Sequence, residues 1–545
     1  VRIKSGMCYA LTEASLSGHT YLPKEKMVET TINLLGLRDQ YLNADGTYNM
    51  ELLDNCFTEL VLEKKLILKE IDDNQAVFLS TFYYTELNIA RMLLELNIST
   101  PEDDYILGVK MDTVEDMSGI HLDDLQRQAV VATQNNGVSI ITGGPGTGKT
   151  TTINAIIQLF ESDGLEVSLA APTGRAAKRM TEATGHEAKT IHRMLEISGG
   201  QSDDPELDAK FGRNEQNPLE TDVVIVDEMS MVDTFLMHAF LKAVTVGTRL
   251  VFVGDVNQLA SVGPGNVLKD IIESECFKVV RLTKVFRQAG ESGIVTNAHN
   301  EGKEVKLDNS FGDFLYIERE NAQMALNATI GLIKTKLPAY VGANEMDIQV
   351  LTPMRNGILG VNSLNPGLQM YMNPPDKNKN EKEIAGVVFR EGDKVMQIKN
   401  NYQLEWEQRT DKGFLVDSGS GIFNGDMGII LGMDENGLIV RFEDKVLCLM
   451  REDISCMKLA YAITTHKAQG SEFSRVHIIL PKNFPSMLTR RMLYTAITRA
   501  SKEVFLYSIE NSYSIAIENT QEKKRTTLLE KKISKIATKN NFLPY

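Results

Sequence analysis

Gly143-Gly144-Pro145-Gly146-Thr147-Gly148-Lys149-Thr150 is a complete loop of the form G-x-x-x-x-G-K-[ST]. Val138-Ser139-Ile140-Ile141 precedes it and Thr151-Thr152-Ile153-Asn154-Ala155-Ile156-Ile157 follows. A short apolar, partly β-branched run before the loop and a helix-forming run after it supply the strand–loop–helix context the motif needs. Glycines let the backbone curl so that its N–H groups point at a polyphosphate, and the helix N-terminus adds partial positive charge. In such a loop Lys149 reaches the terminal phosphates and the Thr150 hydroxyl sits on Mg²⁺. A chance glycine-rich turn would not come with both flanks, so the expected ligand is a nucleoside triphosphate, ATP with Mg²⁺.

Outward from the loop, short β-branched runs alternate with helix-like stretches: Val138–Ile141, Val167–Ala170, Val223–Val226, Leu250–Val253 and Val279-Val280. A second series follows at Asp347–Leu351, Ala460–Thr464, Val476–Leu480 and Val504–Tyr507. Alternation of this kind predicts parallel sheets covered by helices. The fold class is therefore α/β, with two motor-like lobes. Residues 1–115 carry helical periodicity and read as a mostly helical domain. Leu60–Glu70 leading into Ala76-Val77-Phe78-Leu79 equally suits a helix and hairpin of winged-helix type. The polar stretch 197–219 interrupts the first lobe. Residues 384–457, with turn signals at Asn424-Gly425 and Asn436-Gly437, read as a small β-barrel insertion in the second.

The chain has 545 residues, 42% of them apolar and 24% charged, which suits a multidomain globular protein. No apolar run approaches the ~18 residues of a membrane span. Cys8, Cys56, Cys276, Cys448 and Cys456 are scattered and odd in number, so neither a disulfide framework nor structural zinc is expected, and the cytoplasm is the expected location. The chain opens on Val1 with no long apolar stretch behind it, so no secretory leader is expected; the missing initiator methionine reads as missing upstream sequence. A net charge of −15 argues against non-specific nucleic-acid binding unless a basic groove is local.

Asp227-Glu228 closes the run Val223-Val224-Ile225-Val226. An Asp at such a strand end holds the Mg²⁺ shell, and the Glu after it is placed to activate water. Gln258, after the next strand, is placed to orient that water. Arg287 and Arg499 are arginine-finger candidates.

Taken in order, these blocks resemble a superfamily 1 helicase of the RecD-like type, the 5′→3′ branch that also holds TraA-like and Pif-type enzymes. His121–Ala129 resembles the Q motif, with Gln126 as adenine reader. The phosphate loop is motif I, Ala171–Ala177 motif Ia, and Thr190–Leu195 the next DNA-contacting block. Asp227–Asp233, Gly254–Gly265, Phe286–Gln288, Thr465–Phe473 and Tyr494–Ala500 are motifs II to VI. Motif III reads Gln258-Leu259-Ala260-Ser261 and motif V Ala468-Gln469-Gly470-Ser471-Glu472, forms that resemble the 5′→3′ branch. The resemblance implies nucleotide binding by Gln126, Gly143 to Thr151, Asp227, Gln258, Arg287, Glu472 and Arg499, with Thr150 and Asp227 on the metal. It implies catalysis by Lys149, Glu228, Gln258, Arg287 and Arg499. It implies DNA contacts by Pro172, Thr173, Arg175, Thr190, His192, Asn257, Thr465 and His466. Its domain plan is a helical region over 1–115, a RecA-like lobe over 116–300 with a pin near 196–220, and a second over 301–545 with an SH3-like insertion near 385–457. The implied activity is ATP-dependent 5′→3′ translocation on single-stranded DNA and unwinding at single-strand/duplex junctions by a monomer, in repair or recombination. A phosphate-loop switch that does not unwind, a subunit of an exodeoxyribonuclease V-type complex, and an RNA substrate remain alternatives.

Overall fold

The computed structural model describes residues 1–37, 51–196, 211–286, 292–299, 307, 309–336, 345–410, 413–434, 437–482, 484–520 and 524–539. Arg287 and most of the expected pin (197–210) lie outside them.

The first lobe is a six-stranded, all-parallel sheet. Its order is Ala188–Thr190, Val167–Ala171, Val223–Val226, Arg249–Gly254, Val138–Gly143, Lys278–Leu282. The central strands are continuous apolar runs because helices cover both faces. On one face Ile141, Ile225 and Val253 pack with Ile156 and Phe160 of the helix that follows the phosphate loop. On the other, Ile140, Val224 and Phe252 pack with Phe240 and Leu241.

The second lobe repeats the plan with five parallel strands, ordered Phe314–Arg319, Ala500–Ile509, Phe473–Leu480, Ile348–Thr352, Ala462–Thr464. Residues 394–459 build a seven-stranded antiparallel sheet. Its apolar side, including Val395, Ile430, Val440 and Leu449, shares one core with Val350, Phe505 and Tyr507 of the lobe.

Two segments cross the expected domain limits. Residues 2–37 and 51–79 form a module of helices and a three-stranded antiparallel sheet, in which the hairpin Leu66–Ile71/Asn74–Leu79 follows helix Glu51–Leu62. A helix and a hairpin are present, but the helix ends at Leu62, and Leu66–Glu70, expected as part of it, lies in the first strand of the hairpin. The module ends earlier than 115: helix Ser80–Leu96 buries Ile89, Ala90 and Leu93 in the core of the first lobe. Helix Leu529–Lys539, the last among the described residues, lies in the same core through Leu529, Ile533 and Ala537, so this segment returns from the second lobe to the first. Both helices carry an apolar stripe that their own neighbours in sequence do not cover.

One ion pair fastens this junction. Lys532 Nζ lies 3.0 Å from Glu86 Oε2, with side-chain exposures of 6% and 0%. Thr20 Oγ1 also donates to Glu86 Oε1, at 2.8 Å. Removing one partner of a buried pair leaves the other charge uncompensated, so Lys532→Ala should cost about 3–5 kcal/mol of stability. Urea unfolding checks this; an unchanged midpoint would show that the pair does not anchor the junction.

Candidate functional site

The phosphate loop is built by its backbone. Gly146 and Gly148 stand at φ of 72° and 78°, left-handed conformations that glycine adopts without strain. A Cβ on Gly143 would fall 2.6 Å from Thr147 Oγ1 and 2.9 Å from the Leu282 carbonyl, so this glycine is a packing requirement. Helix Lys149–Ser162 starts directly at the loop. Lys149 Nζ donates to the carbonyls of Gly143 and Gly144, at 2.7 and 2.9 Å. Thr150 and Thr151 follow in the helix's first turn, with Thr150 exposed. Gln126 is buried: its Oε1 accepts from Asp123 N–H and its Nε2 donates to Gly148 O. Its amide therefore caps its own helix and braces the loop.

Across the loop stand two adjacent carboxylates. Burial and the charge of Glu228 push the Asp227 carboxyl above its ordinary range. Burial pushes Glu228 upward too, but Arg179, Arg499 and Lys149 outweigh it and hold that carboxyl low. Asp227 Oδ1 accepts from the Glu228 N–H at 2.7 Å. No group of three or more His, Cys, Asp or Glu side chains able to hold a metal occurs among the described residues. A carboxylate pair beside a phosphate loop, Glu228 buried and Asp227 half-buried, nevertheless fits Mg²⁺, which takes one or two carboxylates and completes its shell with phosphate and water. Thr150 and Asp227 are the donors that would hold it.

The second lobe closes the site. Arg499 is 2% exposed and donates to Thr495 O, Ser471 O and Thr498 Oγ1. Burial lowers its proton affinity, opposed first by the charge of Glu228. Gln258 is buried, donates to Asp255 at 3.4 Å, and has an Oε1 with no hydrogen-bond partner among the described residues. A buried unpaired acceptor beside a nucleotide site suits a group that receives a bond from bound water. Asp255 accepts from Tyr494 of the second lobe, Leu259 N–H donates to Thr495, and Gln469 donates to Leu259 O. Motif III is thus fastened to motifs V and VI. Arg179 and Tyr494 were not among the expected site residues. The signal for Arg179 was its place one helical turn after Arg175.

A cleft of about 1870 Å³ runs between the lobes, and basic side chains outnumber acidic ones along it. Pro172, Thr173, Arg175, His192, Asn257 and His466 line it. Thr190 and Thr465 do not. Thr190 spends its hydroxyl accepting from Arg193 N–H at the start of a short helix, and Thr465 is fully buried with its hydroxyl on Met492 Sδ. Thr464 lines the cleft in place of its neighbour. Burial lowers the proton affinity of His192; burial and the charges of Arg525 and Arg355 lower that of His466. Both rings are thereby kept neutral at neutral pH. Arg355, Lys467, Arg490 and Arg491 supply the cationic wall instead, and the exposed Val262, Phe484 and Met487 supply apolar surface. No helix among the described residues is long and apolar enough to cross a membrane.

Residues 121–309 match the AAA domain family, residues 364–442 the ATP-dependent RecD-like DNA helicase SH3 domain, and residues 459–507 the UvrD-like helicase C-terminal domain. The chain is 36% identical over 410 residues to the ATP-dependent RecD2 DNA helicase of Deinococcus radiodurans, covering 74% of this chain and 52% of that protein, so it spans about half the length of that relative. It is 28% identical over 435 residues to the RecBCD enzyme subunit RecD of Mycobacterium tuberculosis, covering 72% of this chain and 70% of that protein. The solved Pif1 helicase from Candida albicans aligns with 77% of this chain and 100% of its own, at 19% identity and a TM-score of 0.43. The three family models follow one another along the chain and, with the RecD2 and RecD relatives, make it similar to the RecD-like superfamily 1 helicases.

Proposed function

We propose that this chain is an ATP-driven motor that moves 5′→3′ along single-stranded DNA and opens duplex at a single-strand junction. One observation carries the reading: the residues around the phosphate loop are contributed by both lobes, and the same lobes form the walls of the basic cleft. Lys149, Asp227, Glu228 and Gln258 come from the first lobe, Glu472 and Arg499 from the second, and motif III ties the two together. Any change of separation at the nucleotide is therefore a change of shape in the cleft.

Lys149 and the loop N–H groups bind the terminal phosphates. Mg²⁺, held by Thr150 and Asp227, would neutralise charge developing on them. Glu228 takes the proton of the attacking water, Gln258 orients that water, and Arg499 stabilises the transferring phosphoryl group. Arg287 keeps its proposed role as a second finger. Gln126 braces Gly148 and keeps its proposed role as adenine reader. In the cleft Thr173, Arg175, Asn257 and His466 contact the strand with Arg355 and Lys467, while Phe484 and Met487 offer surfaces for bases. Contacts to backbone rather than base edges fit sequence-independent tracking. The polarity and the repair or recombination setting rest on the family resemblance. A single chain contains both halves of the site, so the motor is proposed to work as a monomer.

Duplexes with a 5′ or a 3′ single-stranded tail test the reading. ATP-dependent strand separation of the 5′-tailed substrate alone is expected. Preference for the 3′ tail would contradict the polarity, and separation of neither would favour translocation without unwinding.

A further inference from the structure

Helix Gly174–Thr184 carries two arginines one turn apart that serve different sites. Arg175, near its N-terminus, lines the cleft and lies 5.5 Å from the centroid of the Phe473 ring. Arg179 turns to the carboxylates. Its Nη2 donates to Glu228 Oε1 at 3.1 Å and its Nη1 to Glu472 Oε2 at 3.3 Å, so one guanidinium holds a carboxylate from each lobe. Nothing in the proposed chemistry uses Arg179.

Glu228 is poorly able to escape this contact. Its backbone stands at φ 53°, a left-handed conformation that disfavours a residue with a Cβ, so the surrounding structure fixes the direction of the side chain. A general base must present an oxygen to the water it deprotonates. One oxygen of Glu228 is occupied by a planar, permanently charged donor, which a carboxylate grips more firmly than a neutral one. Arg499 donates three hydrogen bonds, to Thr495, Ser471 and Thr498, and its remaining N–H groups are left for the phosphoryl group.

We infer that Arg179 is a positioning residue that restrains Glu228 until a nucleic-acid strand engages the Arg175 end of the same helix. Helix Gly174–Thr184 is short, and its first turn is anchored by Thr173, which caps it and lines the cleft. A phosphate drawn to Thr173 and Arg175 shifts the helix as a rigid piece, and Arg179 moves with it. Release frees Glu228 for water and breaks the inter-lobe tie to Glu472 in one event. Nucleic-acid stimulation would then come partly from lifting a restraint. This inference rests on the motor reading above.

The test is steady-state ATP hydrolysis by wild type, Arg179→Met and Arg179→Lys, each with and without a single-stranded DNA oligonucleotide. Without DNA, Arg179→Met should turn over about tenfold faster than wild type, the scale of one charge-assisted hydrogen bond lifted from the base. The change should fall in kcat, with KM for ATP moving less than about twofold. The ratio of DNA-stimulated to DNA-free rates should shrink accordingly. Arg179→Lys keeps the charge but cannot fork to two carboxylates. It should give an intermediate ratio, and it carries the same reading if the methionine variant does not fold. A DNA-free rate at or below wild type in both variants overturns the inference. If wild-type hydrolysis ignores DNA, the motor reading fails, while the DNA-free rate of Arg179→Met still decides whether Glu228 is restrained.

Discussion

Arg499→Ala is expected to slow ATP hydrolysis by about 10³-fold or more while leaving nucleotide binding nearly intact. The guanidinium sits on the second lobe, faces Glu228, and is almost wholly buried. Its three protein partners hold it in place, so it costs little reorganisation when charge develops on the transferring phosphoryl group. In the alanine variant the space would be water-filled or collapsed, and neither supplies a fixed positive charge. Arg499→Lys should recover little, because a point charge on a flexible stem cannot reproduce the anchored plane. Single-turnover hydrolysis beside equilibrium binding of a fluorescent nucleotide separates the two effects. Intact turnover with collapsed affinity would remove Arg499 from the finger role.

Glu228→Gln should reduce turnover by about 10²–10⁴-fold, the contribution of a positioned general base. The amide keeps the shape and can still accept from Arg179, so the fold and the inter-lobe contact to Glu472 should persist. Asp227 loses a like charge at its side, which should leave nucleotide binding equal or stronger. The same nucleotide titration and a single-turnover assay report both quantities. Wild-type turnover would show that the attacking water gives its proton elsewhere.

Much of this was legible in the sequence for a physical reason: buried parallel strands must be continuous apolar runs, and the candidate site residues lie in the segments that leave those runs. Asp227 and Glu228 follow such a run directly, and Lys149 and Gln258 stand past the loop that leaves one. The limits of the domains were less legible. Helix Ser80–Leu96 and helix Leu529–Lys539 are amphipathic, and an apolar stripe does not say which distant surface will cover it. Strand Phe314–Arg319 was not expected, because it forms the sheet edge and is only partly buried. Single side chains were harder still. Thr464 and Thr465 are neighbours of one type, yet backbone direction sends one to the cleft and the other into the core. Thr190 carries a hydroxyl that suits a phosphate, but the helix start beside it uses that hydroxyl first. Arg179 was hidden because its two partners, Glu228 and Glu472, come from separate motifs that only the fold brings together.

The net charge of −15 pointed away from nucleic acid. The fold answers this by position: Arg175, Arg355, Lys467, Arg490 and Arg491 converge on one cleft. A local field of this kind acts over roughly a Debye length, about 8–10 Å at ordinary salt, so distant acidic surface does little to cancel it.

The most direct test of the central claim, that nucleotide hydrolysis here is coupled to a bound strand, is steady-state ATP hydrolysis with and without a short single-stranded DNA oligonucleotide, with Lys149→Ala as the control for the site. A large increase in kcat on adding DNA, abolished in Lys149→Ala, is the predicted result. A rate that Lys149→Ala abolishes but DNA leaves unchanged would keep the nucleotide site and contradict the motor.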